Sequence, residues 1–310
     1  MLYTKQLTKM MSACCIILLS IVVASCTKRG DNLKLNPIPT PAFDIVNGSN
    51  GNNFILVNKT PGASIPNWRV STGQSFSGDS ARLKLIFKGT YEIKLIVVTQ
   101  GGLDSVTKTV TVAASDPTAC DPSNAIGFIA SCTQKKWKLN PEAGTYKVGE
   151  GAGNGNWWSS GMDAVTGRAC EFNDEYIFSF DAEGTFVYDN KGDFFADNNL
   201  GPQDGGCHPN SAFKPVQMPW ASGNFTFSVV EGTGVRGLGQ LKVNGLGAHI
   251  GLQKAYNGGE IGVGLGPTAT SITYDILEMR KNPGGATYDI LVVGLNIGGA
   301  GWWTFTLRSY

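Results

Sequence analysis

Apolar and polar residues alternate along most of this chain with a period of two, the spacing of a half-buried β-strand. Between residues 42 and 114 the runs are short. Phe54-Ile55-Leu56-Val57 is one apolar run. From Arg82 to Phe87, Leu83, Leu85 and Phe87 share a face, with Arg82, Lys84 and Ile86 on the other. Tyr91 to Thr99 and Ser105 to Val112 read as two strands joined by a Gly101-Gly102 turn. Val106, Val110 and Val112 line one face of the second, with Lys108 in register near the solvent edge. Strands at this spacing predict a small sandwich over 42–114.

Residues 115–124 carry two Asp-Pro pairs and read as a boundary. Ala125 to Ala130 suits a helical turn, and a long β region follows Trp137. Glu175 to Phe180 and Thr185 to Asp189 flank Asp181-Ala182-Glu183-Gly184, a hairpin with glycine at the left-handed position. Asn224 to Val230, Gly239 to Asn244 and Ala248 to Leu252 are further predicted strands. Ser271 to Met279, Thr287 to Leu295 and Trp302 to Arg308, separated by glycine-rich turns, predict a closing meander. The expected fold is all-β: a small sandwich, then a larger antiparallel sandwich or jelly roll over 125–310. A closed lipocalin-like barrel is the alternative for 125–310, and an apolar interior cavity would mark it.

Composition narrows the classes. The chain has 310 residues, 42% hydrophobic and 16% charged, with 41 glycines. Such glycine usage suits many tight turns rather than a helical bundle. Lys+Arg is 25 against 24 Asp+Glu, a net charge of +1, which argues against nucleic acid as partner. Two histidines leave little room for a His-rich metal site. No apolar run reaches the roughly 18 residues of a membrane-spanning helix.

The first segment has its own logic. Lys5 and Lys9 precede an apolar run from about Ala13 to Ala24, the pattern of a secretory signal peptide over 1–25. The run ends in Val23-Ala24-Ser25-Cys26, which resembles the bacterial lipobox. That resemblance implies cleavage before Cys26 and its acylation, a stable membrane anchor. Residues 26–41 are then a lipidated, proline-bearing tether. Export into an oxidising compartment suits the four cysteines left: Cys120, Cys132, Cys170 and Cys207. Four cysteines allow three pairings. Local closure favours Cys120 with Cys132 and Cys170 with Cys207, and no C-x-x-C pair suggests zinc.

Candidate chemistry is mainly aromatic. In the last predicted strand Trp303, Phe305 and Leu307 fall on one face and read as core. The opposite face is polar apart from Trp302, which is left for a ligand. Trp157 and Trp158 follow a glycine-rich polar loop, where at least one ring should be exposed. Tyr256, Asn257 and Glu260 bring a ring, an amide and a carboxylate to one loop, and Arg168 adds a further hydrogen-bond donor. Trp220 is a lesser candidate. An indole face suits the C–H face of a pyranose, with neighbouring polar groups taking the hydroxyls.

No catalytic constellation stands out. Glu171, Asn173 and Glu175 would share a strand face, an imperfect version of the E-x-D-x-x-E strand of laminarinase-type glycoside hydrolases. No G-x-S-x-G elbow is present. His208 and His249 have no partner at motif spacing. Asp189, Asp193 and Asp197 gather oxygen ligands of the kind calcium takes, without the full EF-hand pattern. No metal or other cofactor is expected beyond that calcium option.

Two resemblances organise these residues. Gly89-Thr90-Tyr91-Glu92-Ile93-Lys94-Leu95 and Val106-Thr107-Lys108-Thr109-Val110-Thr111-Val112, with Trp68 at the core-tryptophan position, resemble the PKD domain, an immunoglobulin-like module. That family's W-D-F-G-D-G is here Trp68-Arg69-Val70-Ser71-Thr72-Gly73, without its acids. The whole layout resembles surface glycan-binding lipoproteins of Gram-negative polysaccharide-utilisation systems. Arg168 to Tyr176, Ala255 to Glu260 and Trp302 to Leu307 look like those of PKD-containing lipoproteins associated with β-glucan (laminarin) use.

This resemblance implies a non-catalytic protein anchored in the outer membrane and facing outward. Its partners would be a polysaccharide, an outer-membrane glycan importer and that importer's binding lipoprotein. A small glycoside hydrolase or lyase, or an adhesion lipoprotein with a protein partner, are the rival expectations.

Overall fold

A computed structural model describes residues 37–310 apart from 182, 202 and 203. The signal segment, Cys26 and most of the tether lie outside the described residues. Among those described, no helix is long and apolar enough to cross a membrane.

The first unit is a two-sheet sandwich. Its strands are β1 (Phe43–Asn47), β2 (Asn53–Asn58), β3 (Ile65–Val70), β4 (Ser75–Ser77), β5 (Ser80–Lys84), β6 (Gly89–Thr99) and β7 (Gly102–Val112). One sheet runs β1-β2-β5, the other β4-β3-β6-β7, the split of an immunoglobulin-like sandwich. Trp68 is fully buried between them, edge-on to Phe43 at 5.2 Å, and its indole N–H donates to Gly78 O at 2.9 Å. Leu83 and Leu85 fill the same core. Phe87, the third residue of that predicted face, belongs to the next unit's core. It lies 5.5 Å from the Phe180 ring and 5.8 Å from the Phe227 ring.

The second unit begins with α1 (Ala125–Ala130), buried along its whole length. The strands are β8 (Gln134–Leu139), β9 (Tyr146–Glu150), β10 (Trp158–Ser159), β11 (Glu175–Ser179), β12 (Thr185–Asp189), β13 (Asp193–Phe195), β14 (Cys207–Pro209), β15 (Gly223–Val230), β16 (Gln240–Asn244), β17 (Ala255–Tyr256), β18 (Gly259–Glu260), β19 (Ser271–Arg280), β20 (Ile290–Asn296) and β21 (Gly301–Ser309). Two short helices, α2 (Asp163–Gly167) and α3 (Ala169–Phe172), precede β11.

Eight of these strands close on themselves. The order is β8-β11-β12-β15-β16-β19-β20-β21, and β21 returns to β8 through Leu307↔Leu139. For 125–310 the strands close in a barrel-like order rather than a two-sheet sandwich, but the bore is packed with side chains and is not the apolar cavity expected of a lipocalin-like barrel. The closing contact joins residues far apart in sequence, so no local pattern announces it. β9 and β10 extend the sheet outward from β21.

Eight strands leave a bore that side chains fill. Here Phe178 stacks on Phe186 at 4.7 Å and Tyr176 on Tyr188 at 5.5 Å. Ala248 to Leu252, expected as a strand, is instead an irregular buried segment lowered into one end of the bore. Its apolar side chains are enclosed, and hydroxyls replace a sheet neighbour. Ile250 N–H donates to Tyr274 Oη (2.8 Å), Gly251 N–H to Tyr176 Oη (3.1 Å), and the Tyr274 hydroxyl donates back to Ile250 O. At Gly251, φ is +74° and a Cβ would stand 2.3 Å from the Phe305 ring, so only glycine passes there.

The register gives the barrel two rims. The lower rim carries the turn at Gly184 and the 281–289 turn, and α1 lies across it, with Ile129 O accepting from the Trp137 indole at 2.8 Å. The sandwich packs here through Phe87, and Ser228 Oγ donates to Thr72 O. The upper rim carries Trp303 and the buried segment. Both expected disulfides are present. Cys120–Cys132 spans α1, and Cys170–Cys207 ties α3 to β14 at the upper rim.

Candidate functional site

The upper rim opens into a cleft whose first wall follows from strand register. Trp158 on β10 stands opposite Val148 on β9, which stands opposite Trp303 on β21. One cross-strand row therefore carries both indoles on the same face. Their rings meet at 6.2 Å and 72°, making a corner. Trp303 lies parallel to Phe305, and its Nε1–H donates to Glu260 Oε1 at 2.6 Å. Its orientation is thus set from below and from the side. The cavity beside this corner measures about 290 Å³ and is also bounded by Tyr146, Arg168, Asp197, Leu252 and Lys254.

The opposing wall is a chain of charges. Glu171 is buried and takes Arg168 Nε at 2.6 Å and the Tyr146 hydroxyl at 2.9 Å. Arg168 reaches Asp197 at 3.3 Å, Lys254 meets the other Asp197 oxygen at 2.8 Å, and Lys254 also meets Glu260 at 3.3 Å. Arg168 lies 4.0 Å over the Phe195 ring and 5.2 Å over that of Tyr146.

Protonation follows from these pairings. Burial pulls the Arg168 and Lys254 pKa values down, but the facing carboxylates raise both above their ordinary range. Burial lifts Asp197, but Lys254 and Arg168 hold it below the usual carboxylate value. Burial raises Glu171 despite Arg168. Both cations lining the cavity are therefore matched by carboxylates.

A second cavity, about 510 Å³, lies on the far side of Glu260, with Tyr256, Val216 and Leu265 in its walls.

The expected site residues divide. Trp158, Arg168, Tyr256 and Glu260 come together around these two cavities. Trp157 is 56% exposed on the rim, beside Gly301. Trp302 points to the outer face, half-buried, and lines neither cavity. Trp303 does share the inward face of Phe305 and Leu307, as the alternation requires, but at the rim that face ends in the cleft. Asn257 spends its amide on β19, donating to Thr273 O and accepting from Thr273 N–H, both at 2.8 Å. Trp220 is buried in a small satellite core with Phe194 and Phe213.

The acidic candidates separate too. Glu171 lies on α3 and Glu175 on β11, so the strand face expected for Glu171, Asn173 and Glu175 does not exist. The cause is Ala169 to Phe172, which coils into a helical turn pinned by Cys170–Cys207. Glu175 bonds Lys191 at 2.9 Å. Burial opposes its ionisation, but Tyr310 and Lys191 push it down to about 2. Asp189 pairs with Lys191 at 2.6 Å, Asp193 lies on β13, and Asp197 turns into the cleft. Among the described residues no three His, Cys, Asp or Glu side chains stand together to hold a metal ion.

His208 meets Asp204 at 3.1 Å. His249 is buried against Tyr188, and burial lowers its pKa to about 4. Sequence reasoning passed over Trp303, Tyr146, Asp197 as a cleft residue, and Lys254. The one available signal was the position of Trp303 beside a glycine turn, at the end of its strand.

Fold and cleft together define a class: an immunoglobulin-like sandwich joined to a filled eight-stranded barrel with an aromatic, charge-paired cleft on its far rim. No family model matches the chain, and no curated protein matches it. Among solved structures it is similar to the PKD1 domain of Vibrio anguillarum Epp, at 21% identity, over 26% of this chain and 98% of that one, with a TM-score of 0.23. A likeness at that score carries no inference.

Proposed function

We propose that this chain is a non-catalytic, lipid-anchored cell-surface protein whose upper-rim cleft binds a neutral polysaccharide, a β-glucan above others, for capture and uptake. The observation that carries the reading is the Trp158–Trp303 corner facing a wall of mutually paired charges. Indole faces stack on pyranose C–H surfaces, and fixed carboxylates and cations hydrogen-bond hydroxyls. A sugar acid would find no unmatched cation on this wall.

The carboxyls at the indole corner support a non-catalytic reading. A glycosidase needs one acid that keeps its proton beside the ligand. Asp197 is held low by Lys254 and Arg168, while Glu171, the raised one, lies beneath Arg168 and does not line the cavity. Anchoring rests on Val23-Ala24-Ser25-Cys26, and an outer-membrane importer with its binding lipoprotein would be the partners.

The test is affinity electrophoresis of residues 27–310 through a panel of polysaccharides, with product analysis of the same samples. Retardation by a β-glucan without released sugars, lost in Trp158→Ala, is the expected result. No retardation anywhere on the panel, or release of sugars, would overturn the reading.

A further inference from the structure

Glu260 lines one cavity and bonds to residues that line the other. Its Oε1 takes the Trp303 indole N–H at 2.6 Å and its Oε2 faces Lys254 at 3.3 Å, both residues of the 290 Å³ cavity. The same side chain lines the 510 Å³ cavity with Tyr256. Each cavity is of the order of a small-ligand pocket, about 300–1,000 Å³. The far cavity is preformed: Gln217 is fully buried, and its amide donates to Asn199 O at 2.9 Å and Leu265 O at 3.2 Å, fixing the loop that bears Leu265. Glu260 is the one charged side chain in its lining. Val216 and Leu265 stand 58% and 61% exposed at its mouth.

Resting on the glycan reading above, we infer that the two cavities are successive subsites for one uncharged glycan chain, which crosses Glu260 and stacks on Tyr256 beyond it. Continuity with the indole corner selects this occupant. The chain leaves the Trp158–Trp303 corner, meets a carboxylate already oriented by an indole and an ammonium, and enters an apolar pocket with a phenol wall. The site then reads chain length. A disaccharide fills the indole corner alone, and a longer oligomer gains the second pocket.

The experiment is calorimetric titration of residues 27–310 with β-glucan oligosaccharides from disaccharide to octasaccharide. Affinity should rise at least about tenfold with length and then level off. Leu265→Arg, at an exposed position, should bring the hexasaccharide affinity down to that of the trisaccharide, and Val216→Arg serves as a second variant should the first fail to fold. Binding that is independent of length, or equal loss of short and long oligomers in both variants, overturns the second subsite while leaving the first. Binding of no oligomer overturns both. Length dependence that survives in both variants also overturns it, since the added units would then lie elsewhere.

Discussion

The two rims of the barrel solve the same problem in opposite ways. Each must close a bore full of aromatic side chains. The lower rim does it with apolar matter: α1 is buried throughout, and Phe87 from the sandwich packs on Phe180 and Phe227. The upper rim does it with a polar-backboned segment held by tyrosine hydroxyls, beside a linked chain of five acidic and basic side chains from Glu171 to Glu260. Apolar closure gains stability from every contact, whereas buried ion pairs roughly balance their own desolvation. A rim built the second way exists for what it presents, and it presents two indoles and a half-open cavity.

The contrast can be broken most sharply at the bottom. Phe87→Ala should cost about 4 kcal/mol in a urea melt, the usual loss for a buried phenylalanine, and should uncouple sandwich from barrel into two transitions. A single transition with a small shift would mean that the junction contributes little. At the top, Glu171→Gln removes a buried partner of Arg168 and should cost about 3 kcal/mol. It should also weaken β-glucan retention, because Arg168 and Asp197 lose their anchor. Full retention in a destabilised protein would detach the charge chain from binding.

Acid should act on the upper rim through His249. Its folded pKa of about 4 lies below the ordinary 6.5, so the neutral ring is favoured in the folded state. Its contribution is complete above pH 6.5 and is lost as pH falls toward 4. Burial also raises Asp174, which works the other way, losing stability as pH rises through its folded value. The difference between wild type and His249→Gln isolates the histidine: it should change by up to about 3 kcal/mol between pH 7 and pH 4. A flat difference curve would place His249 near its ordinary pKa.

Smaller effects sharpen the binding side. Trp158→Ala should lower β-glucan affinity about tenfold, an aromatic stacking loss, with the melting curve unchanged. Trp302→Ala, on the outer face, should leave affinity unaltered, and a loss there would move the site off the cleft. Smallest of all is salt. Raising it to about 0.5 M should change retention less than about twofold, because the proposed ligand carries no charge to screen. A steep salt dependence would point to an anionic ligand.

Much of the sandwich could be read from period-two alternation, because each strand buries one face on a local partner. Trp68, Leu83, Leu85, Ile93 and Leu95 are buried as that pattern requires. The meander at the end was legible for the same reason, and local closure anticipated both disulfides. Alternation could not reveal where a strand face ends. Trp303 follows the core rule and still reaches the cleft, because it is near the last inward position before the rim. Ala248 to Leu252 looks like a buried strand because Ala248, Ile250 and Leu252 are apolar with period two, yet enclosure in a bore leaves the same signature. Asn257 and Tyr256 are neighbours in one loop, but only the register of β17 with β18 and the reach to Thr273 separate structural amide from cavity wall. Glu171 was visible as a carboxylate, not as the buried end of a charge chain, since its partner Tyr146, and the Asp197 that shares Arg168 with it, come from distant segments.

The shared aromatic junction at Phe87 has a consequence for how many molecules act together. Gly184, with φ +65°, lies so close there that a Cβ would stand 2.7 Å from the Phe87 ring, so the two units are in tight contact at this point. Sandwich and barrel pack directly on one another, with the cleft on the rim opposite the junction. Under the anchoring proposed above, each such molecule on one surface would offer its cleft on the rim away from the sandwich. On the glycan reading proposed above, a polysaccharide held by one cleft would meet the next at an effective concentration set by spacing, so modest single-site affinity would add up to firm retention by avidity.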